Sequence, residues 1–342
     1  MKAVALTGPR QLEIIDTPTP APDGEHVIIE VSACGICGSD IHYWELGVGM
    51  DGMPGLIMGH EFSGSVADTG CRDDLSVGDR VTALPINPCG QCDTCRNGIS
   101  NICLNGMKRP NPGNNSPGAY AEYIKVRPDM VRKLPDSVSD KEAAMIEPAA
   151  VAFHAVKEAM IQPGDRVLIT GGGPIGILCA AWAKINGAAY VAITEIDPFR
   201  ISFSADTKFA DDVFDAADAG LKKTLKKVSK GGFDAALDTS ASDAGANTII
   251  SALKPHGKMV LAGINFNPQS INTLALTIKE LKLFSAFAYL PFEFDITLDY
   301  ITKKALAVVP LVTRSIEIGA VQDTFERLKS GKSKDIKVVI VP

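Results

Sequence analysis

The chain lacks the marks of a membrane or secreted protein. Nowhere in its 342 residues does an apolar run reach the ~18 residues that a bilayer-spanning helix needs. The opening stretch MKAVALTGPRQLEIID contains no apolar core of a secretory signal, so a cytoplasmic protein is expected. There is no block of five or six like charges, and 34 Lys and Arg against 40 Asp and Glu leave a net charge of −6. Such a chain has no strong electrostatic hold on nucleic acid or on an anionic membrane, and neither is expected as a partner. Internal repeats and low-complexity tracts are missing too, which excludes a repeat array.

What is present is the composition of a soluble globular protein, 46% hydrophobic and 22% charged. A chain of 342 residues exceeds one ordinary core, so two domains are expected. The first 150 residues read as short strands and loops. HVIIEVSA (26–33) is strand-like, and FSGSVADTG with LSVGDRVTAL shows the Gly-punctuated runs of a β-rich domain. PNPGNNSP (110–117) is a loop by composition, and GAYAEYIKV resumes as a strand.

The texture changes near Glu147. Pro148 suits the first turn of a helix that AAVAFHAVKEAM continues. RVLIT (166–170), YVAIT (190–194), FDAALD (233–238), KMVLAG (258–263) and LKLFSA (281–286) then read as strands separated by helices, with a short strand at Val213-Phe214. Near-continuous apolar strands alternating with helices predict a parallel sheet covered on both faces. PFEFDITLDYITKK and VQDTFERLKSG look helical, and DIKVVIVP reads as a closing strand. The expected arrangement is α/β: a discontinuous β-rich domain, residues 1–150 and 288–342, with a doubly wound domain, residues 151–287, inserted in it.

Three motifs carry chemistry. The run Gly171-Gly172-Gly173-Pro174-Ile175-Gly176 satisfies G-x-G-x-x-G. It follows a predicted strand and opens a helix, and Glu195 stands 19 residues beyond Gly176 at the end of the next strand. That context is the dinucleotide fingerprint: glycines admit the pyrophosphate, and the helix N-terminus stabilises its charge. The Glu195 carboxylate would accept from the adenosine ribose and repel a 2′-phosphate, which favours NAD. Arg200 either raises NADP as the alternative or is a solvated helix residue.

Four of the eight cysteines crowd into C-x2-C-x2-C-x7-C at Cys89, Cys92, Cys95 and Cys103. Without a secretory signal such crowding favours metal over disulfides. Four thiolates form a closed tetrahedral site, with zinc favoured over iron–sulfur because no proline follows the fourth cysteine. Its role would be to staple a lobe with little apolar core.

The third set is dispersed. Cys37, the pair His60-Glu61 and the distant Glu147 supply a thiolate, an imidazole and carboxylates. That donor set suits a zinc with one open position, hence a catalytic one. Ser39 and His42 lie two and five residues past Cys37. A hydroxyl and an imidazole so placed form a path for the proton an alcohol must lose before it gives up hydride. His154, on an apolar helix, reads as a core histidine.

With these motifs the sequence resembles the zinc-dependent medium-chain dehydrogenases of the alcohol dehydrogenase superfamily, and most closely the sorbitol and polyol branch. The matching stretches are CGICGSDIHYWE (34–45), GHEFSG (59–64), the four-cysteine lobe, GAYAEY (118–123), IEPAAVAFHA (146–155), GGGPIG (171–176), TEIDPFR (194–200) and DIKVVIVP. The resemblance implies a GroES-like catalytic domain, a Rossmann domain, NAD, two zinc ions per chain, and a homotetramer or homodimer. It implies Cys37 and His60 as catalytic-zinc ligands, with Glu61 or Glu147 as the third, Ser39 and His42 as proton relay, and Asp40 beside the ligands. It further implies transfer of hydride between NAD(H) and a secondary alcohol, a polyol in the first place. A 2,3-butanediol, L-threonine or sugar-alcohol phosphate dehydrogenase is the alternative, and a non-catalytic NAD-binding sensor a more distant one. One departure stands out. Polyol dehydrogenases commonly carry Arg where this chain has Ala288, between Phe287 and Tyr289.

Overall fold

A computed structural model describes all residues from Met1 to Pro342. The chain divides into two compact units, Met1–Glu147 with Leu290–Pro342, and Pro148–Tyr289.

The first unit is built on a seven-stranded sheet and a three-stranded one. The central strand Val27–Gly35 pairs antiparallel with Glu61–Asp68 along its length. Its other edge is shared. Tyr123–Val126 pairs with the Val27 end, and the closing strand Lys337–Val341 pairs with the Gly35 end through Val339 and Ile340. Arg80–Ala83 and Val131–Lys133 extend the sheet on one side, and Val312–Glu317 on the other. The small sheet orders Gln11–Asp16, Lys2–Gly8 and Leu56–Ile57. Ile29, Phe62, Val81, Tyr120, Ile124, Phe325 and Ile340 form the core between them. Phe325, from the helix Val321–Lys329, meets Trp44 and Tyr120 edge-on with ring centroids 5.9 and 6.3 Å apart. Edge contacts of this kind contribute about 0.5–1.5 kcal/mol beyond area burial. They pin the helix that carries Trp44 to the core.

The second unit is a six-stranded parallel sheet. From edge to edge its strands are Asp212–Asp215, Tyr190–Glu195, Arg166–Thr170, Phe233–Asp238, Leu253–Leu261 and Lys282–Ser285. In chain order that is third, second, first, fourth, fifth, sixth, so the winding reverses beside Arg166–Thr170. Val167, Leu168 and Ile169 are all fully buried, as a strand covered on both faces requires. Three of the helices between strands start at side-chain caps: Asp197 accepts from the Arg200 amide, Ser242 from Gly245 and Asn272 from Ala275. The helix Leu221–Val228 buries Leu221 and Leu225 and leaves its lysines in solvent. No helix is long and apolar enough to cross a membrane.

Candidate functional site

The register of two strands assembles the first cluster. Glu61 opens the strand Glu61–Asp68 and lies directly opposite Gly35. Cys37 follows two residues later, as the N-cap of the helix Gly38–Leu46. A Cys37 sulfur, a His60 ring nitrogen and a Glu61 carboxylate oxygen thereby lie within 4.8 Å of one another. Glu147, in the first turn of the helix Ile146–Glu158, is buried but stands outside that cluster.

Asp40 organises the cluster from below. It is fully buried, and its Oδ2 accepts from the Cys37 amide at 2.9 Å and the Tyr120 hydroxyl at 2.7 Å. Its Oδ1 lies 3.5 Å from His60 Nδ1, and both of these buried atoms lack another partner. A carboxylate on the Nδ1 side favours the tautomer whose Nε2 lone pair is free, the usual setting of a metal-ligating histidine. Burial alone would lower the His60 pKa, but Asp40 and Cys37 outweigh it and hold it well above its ordinary value. The thiolate, imidazole and carboxylate donors that the cluster brings together fit zinc.

Sequence reasoning missed Lys337. Its side chain is 3% exposed, and its ammonium donates to both Glu61 oxygens at 2.7 and 2.5 Å and to the Ile36 carbonyl at 3.0 Å. Burial opposes its charge, but Glu61 and Cys37 prevail and raise its pKa, with Glu147 adding to the same field. The only signal in the sequence was a lone lysine inside the apolar run IKVVIV.

The helix Gly38–Leu46 was not foreseen either, since it opens on Gly-Ser. Asp40 reaches back to the Cys37 amide at one end, and at the other the Gly47 amide bonds the Tyr43 carbonyl at φ 76°. Ser39 and His42, both half-buried, stand three residues apart on this helix and so share a face. The His42 pKa is lowered, first by burial and also by Lys329, against a raising effect from Glu45. Glu45 is itself paired with Lys329 at 2.7 Å and Arg10 at 3.2 Å.

The four-cysteine cluster lies in a loop lobe. Its sulfur atoms also fall within 4.8 Å of one another, with Cys89–Cys95 at 4.0 Å and Cys92–Cys103 at 3.8 Å. A tetrahedron with Zn–S of about 2.3 Å has edges of about 3.8 Å. Asn105 and the amides of Gln91 and Cys92 donate to the Cys89 sulfur and lower its pKa to about 7. Thr94 and the Cys95 amide lower Cys92 to about 5, whereas burial and Cys92 push Cys95 up to about 12. Ile99, Ile102, Leu104 and Met107 remain exposed, so the lobe has no apolar core to hold it.

In the second unit the turn 171–176 connects the strand Arg166–Thr170 to the helix Pro174–Ile185. Its three fingerprint glycines have separate reasons. Gly171 has φ 101°, which other residues resist. A Cβ on Gly176 would lie 1.9 Å from the Gly171 carbonyl oxygen, so the helix packs on the turn only with glycine there. A Cβ on Gly173 would meet nothing nearer than an Arg200 guanidinium nitrogen at 3.9 Å. The protein itself does not require that glycine, which leaves the bare helix N-terminus open to an anion. Pro174 occupies the first turn, where no amide is needed, and Ile175 follows it half-buried. Glu195, however, is largely spent. Its Oε2 accepts from the Gly172 amide at 2.6 Å, and its Oε1 from Ile196 and Asp197 at 2.6 and 2.9 Å.

Residues 23–136 match the alcohol dehydrogenase GroES-like domain family, and residues 174–303 match the zinc-binding dehydrogenase family. Sorbitol dehydrogenase of Bacillus subtilis is 31% identical over 348 residues, covering 100% of this chain and 97% of its own length. The chain belongs to the zinc-dependent medium-chain dehydrogenases. It is an oxidoreductase of their sorbitol and polyol dehydrogenase-like branch. A probable D-xylulose reductase A of Aspergillus clavatus is 33% identical to this dehydrogenase over 98% of the chain and 95% of its own. The solved 2R,3R-butanediol dehydrogenase of Bacillus subtilis is 26% identical, with a TM-score of 0.89 over 100% of this chain and 99% of its own.

Proposed function

We propose that this dehydrogenase transfers hydride between NAD(H) and a secondary alcohol or ketone, with a polyol and its ketose as the substrate pair. The observation that carries the reading is the cluster of Cys37, His60 and Glu61 within 4.8 Å, braced by a buried Asp40. These residues, with Glu147 as the other carboxylate, would hold a zinc whose Lewis acidity lowers the pKa of an alcohol. NAD supplies the hydride acceptor.

The chain's own residues divide the remaining work. The first unit, as the GroES-like catalytic domain, manages the proton. Ser39 accepts it from the alcohol and passes it to His42, whose lowered pKa keeps the ring neutral and able to accept across neutral pH. Asp40 holds His60 in the ligating tautomer through Nδ1. The four cysteines, with a second zinc, secure their lobe. The second unit, as the Rossmann domain, holds the dinucleotide. The turn around Gly173 and the helix N-terminus receive the pyrophosphate, and Glu195 keeps an acceptor site for one ribose hydroxyl. Its negative charge disfavours a 2′-phosphate, so NAD is preferred over NADP, with Arg200 the residue to examine if it is not. A homotetramer or homodimer in the cytoplasm completes the reading.

Polyols rank first because a site built to bond hydroxyls rejects analogues that lack them. Ala288, where the branch commonly has Arg, favours a second reading: a vicinal diol such as 2,3-butanediol, which needs fewer polar contacts. The test is kcat/KM with NAD for xylitol, sorbitol, 2,3-butanediol, L-threonine and 2-butanol, followed by NADH absorbance. A polyol should lead. If 2-butanol or threonine leads by about tenfold, the polyol assignment fails and the zinc–NAD chemistry stands.

A further inference from the structure

The first unit holds a cavity of about 460 Å³ that no residue of either metal cluster lines. Small-molecule sites usually measure roughly 300–1,000 Å³. Ile57, Pro110, Pro112, Val126 and Met130 give it an apolar wall. Its charged side chains are all basic. His26, Arg109, Lys125 and Arg127 line it and no Asp or Glu does, in a chain whose net charge is −6.

Two of the four cations are matched nearby, since Asp23 takes His26 Nδ1 at 2.9 Å and Lys125 Nζ at 3.0 Å. The arginines are not fully used. Arg127 gives Nε and Nη2 to Asp129, but its buried Nη1 has no partner. Arg109 makes no ion pair. Its Nε donates to the Asn87 carbonyl and Oδ1 at 3.1 and 2.9 Å. Asn87, 3% exposed, is fixed in turn by its bond to the Pro110 carbonyl at 2.9 Å. The guanidinium of Arg109 is thus held by one edge, with its terminal nitrogens left to bond. A buried donor without a partner needs a reason, and a guanidinium fork matches the oxygens of a carboxylate or phosphate. An apolar wall beside the fork asks for more than an inorganic ion. We propose that this cavity binds a small organic anion, its oxygens on the free nitrogens of Arg109 and Arg127 and its apolar body against Ile57, Pro112 and Met130. The proposal is independent of the zinc–NAD reading.

The experiment is calorimetric titration of full-length, zinc-loaded protein with 2-naphthoate, a rigid apolar acid. The parent should bind one per chain. Its uncharged amide, 2-naphthamide, and acetate, which lacks the apolar body, should each bind at least about tenfold more weakly. Arg127→Gln should weaken 2-naphthoate about tenfold or more, and Arg109→Gln with Arg127→Gln further still. Arg109→Gln also loses the bonds to Asn87, so Arg127→Gln alone carries the test if the double variant folds poorly. Cys37→Ser should bind as the parent does, because the metal cluster is not the site. Titration with 2-naphthyl phosphate tells a carboxylate from a phosphate ligand, and binding that needs the arginines supports the proposal for either. Equal affinity for the acid and its amide overturns it, and so does binding that survives Arg127→Gln or is lost in Cys37→Ser. A parent that binds neither anion, while Arg127→Gln changes its oligomeric state by light scattering, also overturns it and assigns the cavity to contact between copies of the chain.

Discussion

Replacing Glu195 tests two roles of one carboxylate, the brace that its hydrogen bonds form and the ribose contact proposed for it. It accepts three backbone amides, from Gly172, Ile196 and Asp197, and so braces the Gly-rich turn before any cofactor arrives. A carboxylate has about four acceptor sites, so one is left for a ribose hydroxyl. In Glu195→Ala the buried Gly172 amide loses its partner, which costs about 1–3 kcal/mol. The Ile196 and Asp197 amides are only partly buried, and water can replace much of their loss. The nucleotide-binding unit should therefore lose about 2–4 kcal/mol without cofactor, measured by urea unfolding. The missing ribose bond, worth roughly 1.5–3 kcal/mol, should weaken NADH by about 10- to 150-fold, measured by fluorescence titration. Glu195→Gln separates the roles, because one of its two terminal atoms is a donor and would face an amide donor. It should lose stability as well. A Glu195→Ala protein within about 0.5 kcal/mol of the parent would refute the brace, since surface changes alone stay inside that range. NADP turned over as well as NAD by the unaltered enzyme would refute the charge argument and move attention to Arg200.

Two further perturbations follow from the site. Cys92→Ser should leave about one zinc per chain and destabilise the protein, whereas chelator treatment of the parent should abolish activity first while the fold persists; metal analysis and circular dichroism separate the two, and full activity with one zinc would refute the two-site reading. Lys329→Gln should move the acidic limb of the kcat/KM profile to higher pH: His42 lies below its ordinary 6.5 through burial and Lys329, and the substitution both removes that repulsion and frees Glu45 to stabilise the protonated ring. A limb that does not move takes His42 out of the proton path.

The sheet of the second unit was legible because its physics is local. RVLIT and FDAALD are uninterrupted apolar runs, and only strands covered on both faces are built that way. The four cysteines were legible for the same reason, since fourteen positions separate the first from the last. The surroundings of Cys37 were not. Gly35, Glu61 and the strand that carries Lys337 meet there through antiparallel register, which no local pattern encodes. Glu195 shows the intermediate case. Its spacing from the glycines marks it as the fingerprint acid, but spacing does not reveal that backbone amides already hold it.

The same distinction separates how the two clusters come to exist. Closing a chain loop costs about (3/2)RT ln n. The four-cysteine lobe spans 14 positions, and the Glu61–Lys337 pair spans 276. The second closure is dearer by about 2–3 kcal/mol, before any strand pairing is counted. Zinc can therefore gather the cysteines of a chain that is still largely unfolded, and its binding free energy becomes folding free energy for a lobe without a core. The charge balance at Cys37 is of the other kind: the closing strand must dock before Lys337 reaches Glu61, so that pairing exists only in the folded unit. A site completed without its ion must balance its own charge, and in this structure Lys337 balances Glu61.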